Sequence, residues 1–240
     1  MYIRWNKINR GLVLGAVLLI GLCGFIIFKH MQFQSEIPLV REQVKAYVNG
    51  LLTLNLSPDG TELGEPLTDA QKAQKLAEMD GLIATYWTGE SEKGYQNATD
   101  VRENYEDSLK FLPKARILNY TWEPLDNRIT VTANGTDYAT VQLNLENVTV
   151  ESIGKLENLF ICNANQYYYI EDTYVGELVE EKSADIVVKD ILELDTGTYR
   201  NVFGGYISLS LKRVGGEWRI TGVNGSLHLR AVSEIEEVSA

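Results

Sequence analysis

The chain predicts an α+β fold: an N-terminal transmembrane helix, then helices packed on a bent antiparallel sheet. Three observations predict it. Residues 11–28 (GLVLGAVLLIGLCGFIIF) form 18 apolar or small residues without one charge. Residues 35–112 carry apolar positions spaced by three and four. Beyond Lys114 the spacing falls to two, and turn dipeptides recur. Four stretches result: a cytoplasmic tail (1–10), the membrane helix (11–28), an extracytoplasmic domain (29–233) and an acidic tail (234–240).

The apolar run comes first because it decides the compartment of everything after it. As a helix it spans roughly 27 Å, close to the hydrocarbon thickness of a bilayer. Arg4, Lys7 and Arg10 precede it and no acidic residue does. The positive-inside bias therefore keeps the N-terminus in the cytoplasm and sends the rest across. The run exceeds the core of a cleaved signal peptide, and Lys29, His30, Met31 and Gln32 offer no small-x-small cleavage site. Cys23 follows Leu22 and is followed by more apolar residues, which does not fit a lipoprotein signal. An uncleaved, single-pass cell-membrane anchor is expected.

Of the 22 basic residues only three precede residue 28, so the remainder carries 19 against 33 acidic residues, a formal charge of −14. Such a domain is not expected to bind nucleic acid, whose phosphates call for Lys and Arg. Cys162 is the only thiol beyond the membrane run and lies in the apolar stretch LFIC. It reads as a buried small hydrophobe. With no internal disulfide possible there, a bacterial source is favoured over a eukaryotic secretory one. Asn55, Asn97, Asn119, Asn134, Asn147 and Asn224 each open an Asn-x-Ser/Thr sequon. Asn-Gly turns and strand edges explain such residues without glycosylation, which stays open.

In residues 35–54, Ile37, Val40, Val44, Tyr47 or Val48 and Leu51 mark a helix, with Pro38 suiting its first turn. It begins close behind the anchor, from which a short break separates it. Residues 55–66 are a loop by composition. Thr68 caps a second helix to about Trp87, with Ala73, Leu76, Met79 or Asp80, Ile83 and Trp87 as its buried stripe. A polar loop (89–98) leads to a weaker third helix over about 100–112, which Pro113 ends. Its one side holds Val101, Tyr105, Leu109 and Leu112.

Strands follow at 117–123, 128–133 and 136–150. The last two form a hairpin around Asn134-Gly135, a type I′ signal. Val141, Leu143 and Leu145 share a parity that Val148 and Val150 break, so a bulge is expected near Glu146–Asn147. Residues 156–170 are ambiguous. Further strands are expected at 185–194, 201–213, 217–224 and 226–232, with Gly215-Gly216 turning the chain. Trp218 and Ile220 face one way there, Arg219 and Thr221 the other.

The residues that carry chemistry are sparse. His30 and His228 are the only histidines, and no Gly-x-Ser-x-Gly elbow, His-x-x-x-His or Cys-x-x-Cys occurs. Gly204-Gly205 and Gly215-Gly216 sit in strand and turn contexts and build no phosphate cradle. The pairs Glu171-Asp172 and Glu180-Glu181 read as a solvated face. Trp87, Trp122 and Trp218 fall at periodic positions, which favours core packing over a ligand cleft. Catalytic residues, a metal and a cofactor are therefore not expected.

The stretch YISLSLKRVGGEWRITGV, with Gly216, Trp218 and Ile220 as Gly-x-Trp-x-Ile, resembles the last hairpin of the cone-shaped domains related to nuclear transport factor two. LVREQVKAYVNGLLTLN resembles their opening helix. Within that superfamily, a short tail, one span and one such domain outside resemble the bitopic scaffold subunits of type IV secretion and conjugation machines. The resemblance implies an assembly protein, with membrane or envelope proteins or further copies of itself as partners, and no enzyme. An alternative is a module holding a small ligand or envelope polymer in the mouth of the cone, lined by Tyr120, Trp122, Tyr206 and Trp218. A third is an enzyme using His228, which fold alone does not argue.

Overall fold

The computed structural model describes residues 10–110, 113–156, 158–162, 169–170, 173–174 and 194–235. Its fold is α+β. The apolar run and the first predicted domain helix are one element, α1 (Arg10–Leu54), 45 residues without a break. Pro38 therefore lies inside a helix and not in a first turn. Its missing N–H and its ring disfavour that position. The helix continues because Pro38 is exposed, while Phe33, Val40, Val44, Tyr47, Val48 and Leu51 on the other side are buried in the core. The 18-residue apolar part is long enough to cross a membrane, and none of it is buried.

α2 (Asp69–Tyr86) starts at Thr68 as expected, with a reciprocal capping box between Thr68 and Gln71. Its buried stripe keeps Leu76, Met79, Ile83 and Trp87 of the expected one but not Ala73. Lys75 and Met79 are buried, whereas Ala73 and Asp80 are exposed. Leu76, Leu82, Ile83 and Tyr86 pack partly against the core, so the helix lies on its Met79 side. α3 (Ala98–Ser108) begins earlier than its apolar spacing suggests, because Asn97 caps it. Asn97 accepts from the backbone N–H of Thr99 and of Asp100. Val101 and Tyr105 are buried, as read from their spacing. The helix stops at Ser108, ahead of Pro113, and Leu112 lies outside the described residues.

Among the described residues the main sheet has five strands: β1 (Arg116–Thr121), β2 (Ile129–Ala133), β3 (Tyr138–Ile153), β6 (Thr198–Val214) and β7 (Glu217–Glu234). The two-residue strands β4 (Tyr169–Ile170) and β5 (Thr173–Tyr174) pair separately. Among the described residues these strands all pair antiparallel; the isolated Trp87–Ile220 bridge is parallel. β3 is central: β6 pairs along one edge, and β1 and β2 share the other end to end. Ala139, Val141, Leu143 and Leu145 of β3 are buried with Ile207, Leu209 and Leu211 of β6. The outward face is polar, as in the row Thr130, Gln142, Ser208 and Asn224 across four strands.

The bulge in β3 falls where parity placed it. The register with β6 shifts between Leu145 and Val148, and Asn147 has φ 56°. Asn tolerates that left-handed conformation better than most residues. The turn after β2 is not type I′. Asn134 N–H donates to Tyr138 O at 2.8 Å across a wider loop, and Gly135 alone has positive φ. A two-residue turn at Asn134-Gly135 would set Ile129 against Thr140, a polar outward residue. The observed register sets Ile129 against Leu143 and Val131 against Val141. Matching of buried faces overrides the turn dipeptide. A two-residue turn does form at Gly215-Gly216, where the sequence turns the chain, with φ 60° and 92° and Val214 paired to Glu217.

The two expected strands after that turn are one, β7, with extra residues at Thr221 and Arg230 where the register with β6 shifts. At the first bulge Thr221 joins Ile220 on the buried side, rather than opposing it. Gly222 then lies under the Tyr95 side chain, in space that a Cβ would occupy. The loop before α3 extends the edge of β7, with Gln96 and Val223 exchanging both backbone hydrogen bonds at 3.0 and 2.9 Å. Leu159, Phe160, Ile161 and Cys162 enter the core without forming a strand. The expected strand at 185–194 lies outside the described residues except for Leu194, as do the pairs Glu171-Asp172 and Glu180-Glu181.

Candidate functional site

β1 pairs with β3 as far as Thr121–Thr149, and β2 resumes at Ile129–Leu143. Between them the chain leaves the edge of β3, opposite the Asn147 bulge. The departure opens a surface cleft of about 290 Å3 lined by Trp122, Pro124, Leu125, Arg128, Asn144 and Glu146, among others. The bulge is the local cause, since it interrupts the ladder that would otherwise close the edge. Arg128 and Glu146 face each other at 2.9 Å across the cleft. Trp122 rests against the core with part of its ring accessible. An indole wall beside a charge pair and the Asn144 amide suits a small polar ligand carrying a flat apolar face. The signal for Glu146 was the parity break. Arg128 and Asn144 carried none, because their approach depends on the path of residues 122–128.

The four aromatic residues suggested for a cavity do not share this cleft. Trp122 lines it. Tyr120 packs partly against the core and bonds to α1, its hydroxyl 2.8 Å from Thr53 Oγ1 and 2.9 Å from Asn49 Oδ1. Tyr206 is 52% exposed and stands on the outward face of β6, with Asn144 and Ser226 as register partners. Trp218 is buried at 5% exposure.

Trp218 is instead the centre of a clamp on α1. Its indole N–H donates to Glu36 Oε2 at 2.9 Å, and its ring meets Phe33 edge-on at 5.8 Å. Its carbonyl accepts from Gln43 Nε2 at 2.5 Å. Arg213 binds the other Glu36 oxygen at 2.9 Å. With the Gln32 amide oxygen turned toward it, Arg213 Nη1 also donates there at 2.9 Å. Lower on the helix, Lys45 bridges Glu42 at 2.6 Å and Asp126 at 2.5 Å. The Asp126 bond raises the Lys45 pKa most, followed by that to Glu42, and the same ammonium holds Asp126 below the usual carboxylate range. Glu36 gave no sequence signal, because its partners lie about 180 residues downstream.

A second, smaller cleft of about 90 Å3 lies between the end of α1 and α3, with Tyr105 and Lys75 in its wall. Lys75 is buried and pairs with Glu78 at 2.9 Å. Burial pushes the Glu78 carboxyl up, but hydrogen bonds from Lys75 and Gln74 outweigh it and hold it below its ordinary value. Tyr105 donates to Leu54 O at 2.9 Å, and burial raises its pKa. Cys162 is fully buried and its thiol is pushed up to about 11 by burial. His228 is exposed on β7, 3.2 Å from Ser226 Oγ. Among the described residues no three His, Cys, Asp or Glu side chains converge as metal ligands.

No protein-family model matches the chain, and no curated protein matches it.

Proposed function

We propose that the protein is a membrane-anchored extracytoplasmic interaction domain, a scaffold subunit within a cell-envelope assembly. One observation carries the reading: α1 runs unbroken from a bilayer-length apolar stretch into the core, and the Glu36 clamp fastens the last hairpin to it. A flexible linker would suit a tethered enzyme sampling substrate. A continuous helix suits a subunit whose position relative to the membrane is set. The charges of Arg4, Lys7 and Arg10 ahead of the apolar run support an inside N-terminus and an outside domain.

The helices followed by an antiparallel sheet, with Trp218 and Ile220 buried after the Gly-Gly turn, support the resemblance to cone-shaped domains of the nuclear transport factor two type. On that resemblance the assembly is a conjugative, type IV secretion-like one, and the partners are membrane or envelope proteins or further copies of this chain. In-membrane crosslinking of the full chain tests it: higher adducts are expected, and monomer alone at every linker length would reject a scaffold. The cleft beside Trp122 favours a second reading, a small-ligand module. Quenching of tryptophan fluorescence by an added ligand, lost in Trp122→Phe, would support that reading instead.

A further inference from the structure

We infer that Asn134 is a site of spontaneous covalent modification. Its side chain closes on the Gly135 nitrogen and becomes aspartate or isoaspartate, while the fold holds the other Asn-Gly pairs of the chain inert.

The sequence contains three such pairs, Asn49-Gly50, Asn134-Gly135 and Asn224-Gly225. A glycine after asparagine lacks the Cβ that would hinder approach to its nitrogen. The deprotonated Gly135 nitrogen attacks Asn134 Cγ and a C–N bond forms. The side-chain amide nitrogen takes up a proton from water and leaves as ammonia. Water then opens the resulting succinimide. Attack at Cγ gives aspartate, and attack at the main-chain carbonyl gives isoaspartate. The sum is hydrolysis of one amide, with water consumed, ammonia released and no change of oxidation state.

Ring closure needs the main chain to rotate at the asparagine and the next nitrogen to be free. Asn49-Gly50 lies inside α1, where the Gly50 N–H belongs to the helical ladder. The Tyr120 hydroxyl donates to Asn49 Oδ1 at 2.9 Å, and Leu82 packs against Gly50. Asn224-Gly225 lies in β7. There Asn224 Nδ2 donates to Gly94 O at 2.7 Å, and Gly225 is buried opposite Ile207. The Gly225 carbonyl accepts from Cys162 Sγ at 3.6 Å. Both pairs are locked by the elements that contain them.

At Asn134 these constraints fall away. Residues 134–137 are exposed and lie outside any helix or strand. Gly135 has φ 106°, with open space where a Cβ would lie. Among the described residues its N–H meets no backbone acceptor. The bond from Asn134 N–H to Tyr138 O fixes the residue's own nitrogen, not the rotation on its carbonyl side. Asn134 Nδ2 donates to Thr140 Oγ1, an exposed bond that water can replace. Either product puts a second carboxylate into a loop that already carries Asp137, and isoaspartate also lengthens the main chain there by one carbon. The β2–β3 turn therefore gains charge, and with isoaspartate slack, as the protein ages.

The test follows the full chain in detergent micelles at mildly alkaline pH, folded and in guanidinium. Peptide mapping by mass spectrometry measures the acid form at each Asn-Gly pair over time, and chromatography separates isoaspartate from aspartate. Folded, Asn134 should convert at close to its rate in guanidinium. Asn49 and Asn224 should be slowed at least about tenfold by folding, since each must wait for local opening. A folded rate at Asn134 as low as that at Asn49 would overturn the inference, and so would equal folded rates at all three pairs. Aspartate without isoaspartate would mean direct hydrolysis of the amide and would overturn the ring-closure route.

Discussion

At the residue scale, Asn147 shows how one position shapes a site. Its positive φ makes the bulge, the bulge interrupts the β1–β2 edge, and the interruption leaves the Trp122 cleft. The bulge was legible in the sequence because side-chain parity changes there. The conformation at Asn147 was not, since Glu146 or Asn147 serves the parity equally. Asn147→Ala should destabilise the domain by about 1 kcal/mol, because a Cβ without a polar group is disfavoured in the left-handed region. Asn147→Gly should be neutral or stabilising. Unfolding midpoints from tryptophan fluorescence check both. Equal losses in the two variants would mean that the Asn amide, and not its backbone angle, matters.

At the element scale, helix starts and strand registers were decided by different physics. Thr68 was readable as a cap, since a Thr with Gln three residues on precedes an apolar stripe. Asn97 does the same work for α3 but was read as a sequon, and so the helix begins before its first apolar residue. Asn97→Ala should cost about 1 kcal/mol through the lost cap. Asn97→Ser should recover most of it, and helical circular dichroism on thermal unfolding reads the difference. The Asn134-Gly135 turn failed for a non-local reason. Its favoured two-residue geometry would turn the apolar side of β2 outward, which sheet burial does not permit.

At the scale of the whole molecule, α1 carries both the bilayer-length apolar run and part of the core. Lys45 ties it to the turn ahead of β2 through Asp126. Asp126 is held below its ordinary pKa, so its contribution is present above the unfolded value and is lost as pH falls through the folded one. Lys45 is raised, so its contribution holds below its ordinary value and is lost as pH rises through the folded one. Asp126→Asn should therefore narrow the gap to the parent protein as pH is lowered from about 5 to 2. Denaturation midpoints in detergent micelles measure it. A gap independent of pH would show that the pair is not the tether. The clamp at Glu36 belongs to this scale too, because its partners come from opposite ends of the chain.

The sequence by itself determined the apolar run, the change from helical to strand spacing, the caps next to good signals and the place of the β3 bulge. These are properties of neighbouring residues, governed by periodicity and backbone preference. Only the tertiary structure decided that α1 is unbroken through Pro38, that the chain does not make a two-residue turn at Asn134-Gly135, and that Trp218 clamps α1 rather than lining a cavity. Each of those depends on which surfaces are buried together. The energy of burying a shared face exceeds the local cost of a helical proline or an unused turn dipeptide.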